Sequence, residues 1–168
     1  MTLVLLVAWA VATQAPDSVA RARVGDAVTA LGDSLTALAG AGAAFTRDLN
    51  VSSRQAVLTR ASDVRERCVA ARAAAGEVDR VYTAHSAVVA ADSGMPEYRR
   101  ELSRLTAELA RCESEWRTPY VAAVADSLRA WGPHRLSRID AAARRYAAAA
   151  AQLRYHKPRS HPQAGVGR

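Results

Sequence analysis

Cys68 and Cys112 are the only cysteines in the chain, and each falls on an apolar stripe of helical spacing. In an oxidising compartment such a pair is expected to form a disulfide. The spacing sets a condition on it. A helical hairpin turning near residue 93 puts Cys68 opposite residue 118, six residues from Cys112. That is an axial offset of roughly 9 Å, beyond the Cα separation of about 7 Å that a bridge tolerates. A turn nearer residue 91 closes much of the gap; two small buried hydrophobes are the alternative. His85 lies on the same stripe as Cys68, and the same arithmetic sets it opposite Tyr98, Glu101 and Leu102. The expectation is a core histidine bonded to Glu101 or to the Tyr98 hydroxyl. No second histidine lies within a turn of it, so zinc-ligand spacing is missing, and His156 and His161 sit apart in the C-terminal tail.

Enzyme chemistry has little to work with. Gly40 and Gly42 fall in Ala-Gly-Ala-Gly-Ala, without the Gly-Lys-Ser/Thr of a phosphate loop and without a preceding strand. Glu113 and Glu115 are two residues apart, so on a helix they point to different faces and cannot converge on one proton. Asp63 with Arg67, Glu97 with Arg100 and Glu101 with Arg104 have helical ion-pair spacing and read as solvated faces. The chain is expected not to be an enzyme and to need no cofactor or metal.

Charge gives the one argument about partners. Of 23 basic residues only Lys157 is a lysine, which together with 39 alanines suits a GC-rich coding sequence and weakens any argument from arginine alone. Position is more telling. Residues 1–132 hold fifteen basic and fifteen acidic side chains, so the net charge of +7 lies in residues 133–168. Arg135, Arg138, Arg144, Arg145, Arg154, Lys157 and Arg159 are therefore the candidate contacts to an anionic partner. Lipid headgroups, acidic glycans and nucleic-acid phosphates all fit that description. A helix kept soluble by its arginines fits it too.

Long helices must carry these residues. Apolar or small side chains recur at alternating steps of four and three from Val24 to Leu49, Val57 to Val89, Tyr98 to Trp116 and Leu136 to Leu153. Each series makes one narrow seam along a helix. The expected fold is all-α: an elongated antiparallel bundle of three long heptad-patterned helices, kinked at Pro119, with a fourth C-terminal helix packed back. The first helix starts near Asp17 or Ser18 and continues through Gly40 and Gly42 as a soft spot, a loop at 40–44 being the alternative. The second is capped by Ser52 or Ser53 and runs to about Ala91. Pro96 suits the first turn of the third, which ends at Trp131 before Gly132-Pro133; the fourth covers 134–156.

Leu3 to Ala12 is an uncharged apolar run, too short for a bilayer span, which needs about 20 residues. It suits the h-region of a secretory signal with small residues at Ala10, Ala12 and Ala15, although Met1-Thr2 supplies no basic flank. The domain reading is a signal over 1–15, one helical bundle over 16–156 and a disordered basic tail over 157–168. No transmembrane span is expected, and oligomeric state is not legible. Function then reads as an exported, periplasmic or extracellular scaffold or binding module of the cell envelope, meeting a protein or an anionic envelope surface. If Leu3–Ala15 is not a signal, the alternative is a cytoplasmic, nucleic-acid-associated basic helical protein.

Overall fold

The computed structural model describes residues 16–49, 53–89, 93–117 and 128–153. These form α1 (Pro16–Asp48), α2 (Arg54–Ala84), the short α3 (Ser86–Val89), α4 (Met95–Glu115) and α5 (Leu128–Ala151), and no strand occurs among the described residues. The four long helices pack against one another as an antiparallel bundle around one apolar core. The Leu3–Ala12 run, the kink at Pro119 and Arg154, Lys157 and Arg159 lie outside the described residues.

The seams do what their spacing predicts. On α2, Val57, Ala61, Val64, Cys68, Ala71, Ala75, Val78 and Tyr82 are all buried. On α4 the seam from Tyr98 through Leu102, Leu105 and Leu109 to Cys112 is buried as well. Alanine supplies three of the eight buried positions on α2, so burial per residue there is modest and its neighbours have to approach closely. Helix starts follow local chemistry. Ser53, not Ser52, caps α2 by accepting a hydrogen bond from the Ala56 backbone N–H at 3.3 Å. Pro96 occupies the first turn of α4, where its missing N–H has no helical partner to lose. By length and composition residues 18–48 of α1 could also cross a bilayer, a test that a core helix passes equally.

Two expectations about element boundaries are corrected. The second helix does not run to Ala91: it stops at Ala84, His85 has φ −117° and ψ 25°, and α3 then restarts at Ser86. Val89, on the restarted turn, is buried in the core. The hairpin is consequently centred on position 90, with Cys68 and Cys112 bridged at a Cα separation of 6.0 Å and the Tyr82 and Tyr98 rings 5.0 Å apart. A centre near 93 would have kept the sulfurs apart.

The second correction concerns Gly132-Pro133, which does not separate two helices. α5 runs through both residues, and it ends at Ala151 rather than 156. The residue before proline is normally driven out of helical geometry by a clash between its Cβ and the proline ring. Glycine has no Cβ, so Gly132 can stay helical in front of Pro133. Tertiary packing holds the pair in place: a Cβ on Gly132 would lie 2.7 Å from Phe45 Cε1 and 3.5 Å from Trp116. Phe45 meets Trp116 edge-on at 4.9 Å, and Trp116 meets Trp131 at 5.3 Å, filling the space beside the glycine.

Candidate functional site

α5 carries the arginines that the charge distribution singles out, and it meets a different neighbour on each side. Toward α4 its arginines face a row of carboxylates. Glu101, Glu108 and Glu115 lie seven residues apart beside the buried seam of α4. Arg138 Nη2 donates to Glu108 Oε2 at 2.7 Å, Arg145 Nε lies 3.4 Å from Glu101 Oε2, and Arg135 pairs with Glu115. The order reverses along the chain because the two helices are antiparallel. Arg138 and Arg145 match the seven-residue spacing of Glu108 and Glu101, while Arg135, only three residues before Arg138, still reaches Glu115 one heptad further along α4. Arg135 also stacks over the Trp131 ring at 4.5 Å. Its burial, reinforced by the neighbouring Arg138 charge, pushes its pKa below the ordinary guanidinium value. Arg144 points elsewhere, to Asp140 one turn back at 2.5 Å.

Every candidate arginine of α5 is thus within reach of a carboxylate of its own chain. An external anion would have to compete with those pairs. Such competition is possible at Arg144, whose side chain is 71% exposed, and poor at Arg135, at 23%. The Glu101–Arg104 pair predicted from spacing is present at 2.5 Å, but Glu101 is not on a solvated face: it is 4% exposed and serves Arg104 and Arg145 together. Glu113 and Glu115 diverge as expected, Glu113 accepting from Arg72 of α2 at 2.6 Å.

His85 is not the core histidine that the hairpin arithmetic predicts. It is half-buried, ends α2 with its backbone N–H donating to Val81 O, and lies beside Arg23, Asp26 and Arg80 at the α1–α2 surface. The hydroxyl expected to serve it is taken. Tyr98 and Tyr146 are buried and their hydroxyl oxygens lie 3.0 Å apart. Burial pushes the Tyr98 pKa far above the usual tyrosine range, with the Tyr146 and Tyr82 hydroxyls adding to it. Burial pushes Tyr146 up to about 12, against a smaller lowering by its bond to Tyr98. These groups stay protonated and serve as packing with one satisfied polar contact.

Toward α1, α5 packs less closely and leaves an apolar groove of about 590 Å³. Leu38, Gly42 and Ile139, all buried, and the half-buried Leu136 form its inner surface. Ala39 and Ala43 of α1 line it from the exposed side, where larger residues would close it. A Cβ on Gly42 would lie 3.1 Å from Leu136 Cδ2, so the glycine sets how near α5 can come. At the Pro133 end stands Arg47, 3.6 Å from Asp48, whose other oxygen accepts from Arg60 at 2.9 Å. Two guanidiniums therefore share one carboxylate at that mouth. At the other end Asp140 is neutralised by Arg144.

Neither the groove nor the carboxylate row was read from the sequence. The row had a visible signal, since glutamates seven apart beside an apolar seam announce a charged helix edge. The groove had none, because Ala39 and Ala43 look like any small residues of an alanine-rich helix until a neighbour fails to cover them. Among the described residues no group of three or more His, Cys, Asp or Glu could hold a metal ion. No family model matches the chain, and no curated protein or solved structure is significantly similar to it.

Proposed function

We propose that this chain is an exported, non-enzymatic helical binding module of the cell envelope. The reading rests on one observation above others: Cys68 and Cys112 are bridged in the middle of the core, at 0% and 1% exposure. Structural disulfides persist in oxidising compartments and are rare in the cytosol, and the Leu3–Ala12 run supplies a segment suited to export. Intact-mass spectrometry of the protein from its native compartment, without reductant, tests this. The expected mass is that of a chain processed near Ala15 and lighter by two hydrogens. An intact Met1 with two free thiols would point to a cytoplasmic protein instead.

The anionic-surface part of the reading shifts along the chain. With Arg135, Arg138, Arg144 and Arg145 engaged by carboxylates, the cations free of acidic neighbours in sequence are Arg154, Lys157, Arg159 and Arg168. Each basic residue held at an anionic bilayer contributes about 1 kcal/mol. Deleting residues 154–168 should therefore abolish salt-sensitive binding to vesicles containing anionic lipid. Arg144→Gln should leave that binding within about twofold of the parent. Equal losses in the two variants would return the contact surface to α5.

A further inference from the structure

We infer that the groove between α1 and α5 binds a fatty-acid-type amphiphile, its alkyl chain lying along the groove and its carboxylate at Arg47. This names the ligand class of the binding module proposed above and rests on that reading.

Three features of the groove carry it. Its volume of about 590 Å³ lies within the range of small-molecule sites, roughly 300–1,000 Å³. Its shape is long and narrow. The lining positions run from Leu35 to Arg47 on α1, about 18 Å, and from Pro133 to Ala143 on α5, about 15 Å, at 1.5 Å per residue. That is a slot for one extended chain rather than a bowl for a ring system. Its inner surface is Leu38, Gly42, Leu136 and Ile139, and its one acidic lining group, Asp140, is paired with Arg144. An alkyl chain is the occupant that leaves no polar group unpaired there.

Charge decides the orientation. At the Leu35 and Ala143 mouth the one acidic group, Asp140, is neutralised by Arg144 at 2.5 Å. At the Pro133 mouth Arg47 and Arg60 share Asp48, which leaves a positive charge in excess. Arg47 is 72% exposed and its contact with Asp48 is the longer of the two, at 3.6 Å, so its guanidinium can turn to an incoming carboxylate at small cost. A neutral chain would fill the groove equally well and forgo this contact.

The test uses the purified, oxidised full chain, so its result is independent of where the protein resides and of the mass measurement above. Dodecanoate, kept below its micellar concentration, is titrated by calorimetry and by amide chemical-shift mapping, with dodecanol as the neutral probe. The expected result is saturable binding at one site, with shifts centred on residues 35–47 and 133–143. Ala43→Phe should weaken both probes about tenfold or more by occupying the slot. Ala39→Leu, a smaller filling on the same exposed edge, provides the check should Ala43→Phe lose its helical circular dichroism. Arg47→Gln should weaken dodecanoate about threefold and leave dodecanol unchanged. Absence of saturable binding to the parent chain, or filled variants that bind as well as the parent, overturns the proposal. So does a parent chain that dimerises, binds neither probe and becomes monomeric in Ala43→Phe, since the groove then belongs to a second copy.

Discussion

Tyr98 and Tyr146 meet hydroxyl to hydroxyl at 3.0 Å in a part of the core that α4 and α5 close from both sides. Neither can ionise without placing a phenolate among apolar neighbours, and that has a measurable consequence. Their folded pKa values lie above the unfolded value of about 10, so the stability linked to them is fully present below pH 10. It is lost as pH rises toward about 12, where Tyr146 titrates in the folded state. From Tyr146 alone the loss between those limits is about 3 kcal/mol. Urea unfolding should show a flat tyrosine contribution from pH 7 to 9 and a falling free energy above pH 10. Tyr146→Phe should be less stable at neutral pH by about 1 kcal/mol, through loss of the hydrogen bond, and decline less steeply in alkali. An unchanged alkaline slope in that variant would show that the phenol is not the titrating group. His85 teaches the complementary lesson: a histidine in a seam register became a helix terminus because the backbone turned at that residue.

At the scale of elements, α4 and α5 are held by apolar contact along the seam and by the row of ion pairs at its edge. Arg138 with Glu108 is the central pair, with side chains 37% and 22% exposed. Partial exposure keeps its contribution small, of the order of 1 kcal/mol, and its larger effect is on register. Arg138→Glu, which sets like charges opposite each other, should lower stability by about 1 kcal/mol at low salt, with a smaller loss in 1 M salt. The double exchange Glu108→Arg with Arg138→Glu should recover most of it. No recovery would mean that Arg138 acts through the packing of its alkyl stem. α5 runs through Pro133 with a glycine before it, which removes the Cβ part of the clash with the proline ring, and the same glycine lets Phe45 and Trp116 close over the helix. One residue thus answers both a backbone and a packing requirement.

Across the whole molecule, the disulfide ties α2 to α4 and closes a loop of 44 residues. Removing that constraint from the unfolded chain should cost about 4 kcal/mol by the loop-entropy estimate. Cys68→Ala with Cys112→Ala should lower the unfolding free energy by about that amount while keeping the helical circular dichroism. Because both sulfurs are buried, reductant should act on the folded protein only through opening of the α2–α4 interface, slowly and faster as denaturant is added. Fast reduction in native buffer would contradict the burial. The bundle is closed tightly on the α1–α2 and α4–α5 sides and left open between α1 and α5, and that asymmetry places the groove.

The heptad spacing alone determined that the chain is a bundle of long helices and which faces of α2 and α4 are buried, because a helix has one period and alanine-rich seams have one place to go. Local chemistry in the sequence also narrowed the α2 cap to Ser52 or Ser53 and gave the start at Pro96 and the pairs Asp63–Arg67 and Glu97–Arg100, all set by residues within a turn of each other; the fold chose Ser53. What the spacing could not determine was any distance that depends on a connection. A few residues of difference in where the α2–α4 hairpin turns separates a bridgeable cysteine pair from an unbridgeable one. Arg135, Arg138 and Arg145 of α5 look free in one dimension and are paired in three, because their carboxylates come from α4, 20 to 44 residues earlier in the chain. The groove, too, exists only in the fold: it is the place where the small residues Ala39, Gly42 and Ala43 of α1 lie beside Leu136 and Ile139 of α5 and nothing else in the described structure fills the gap.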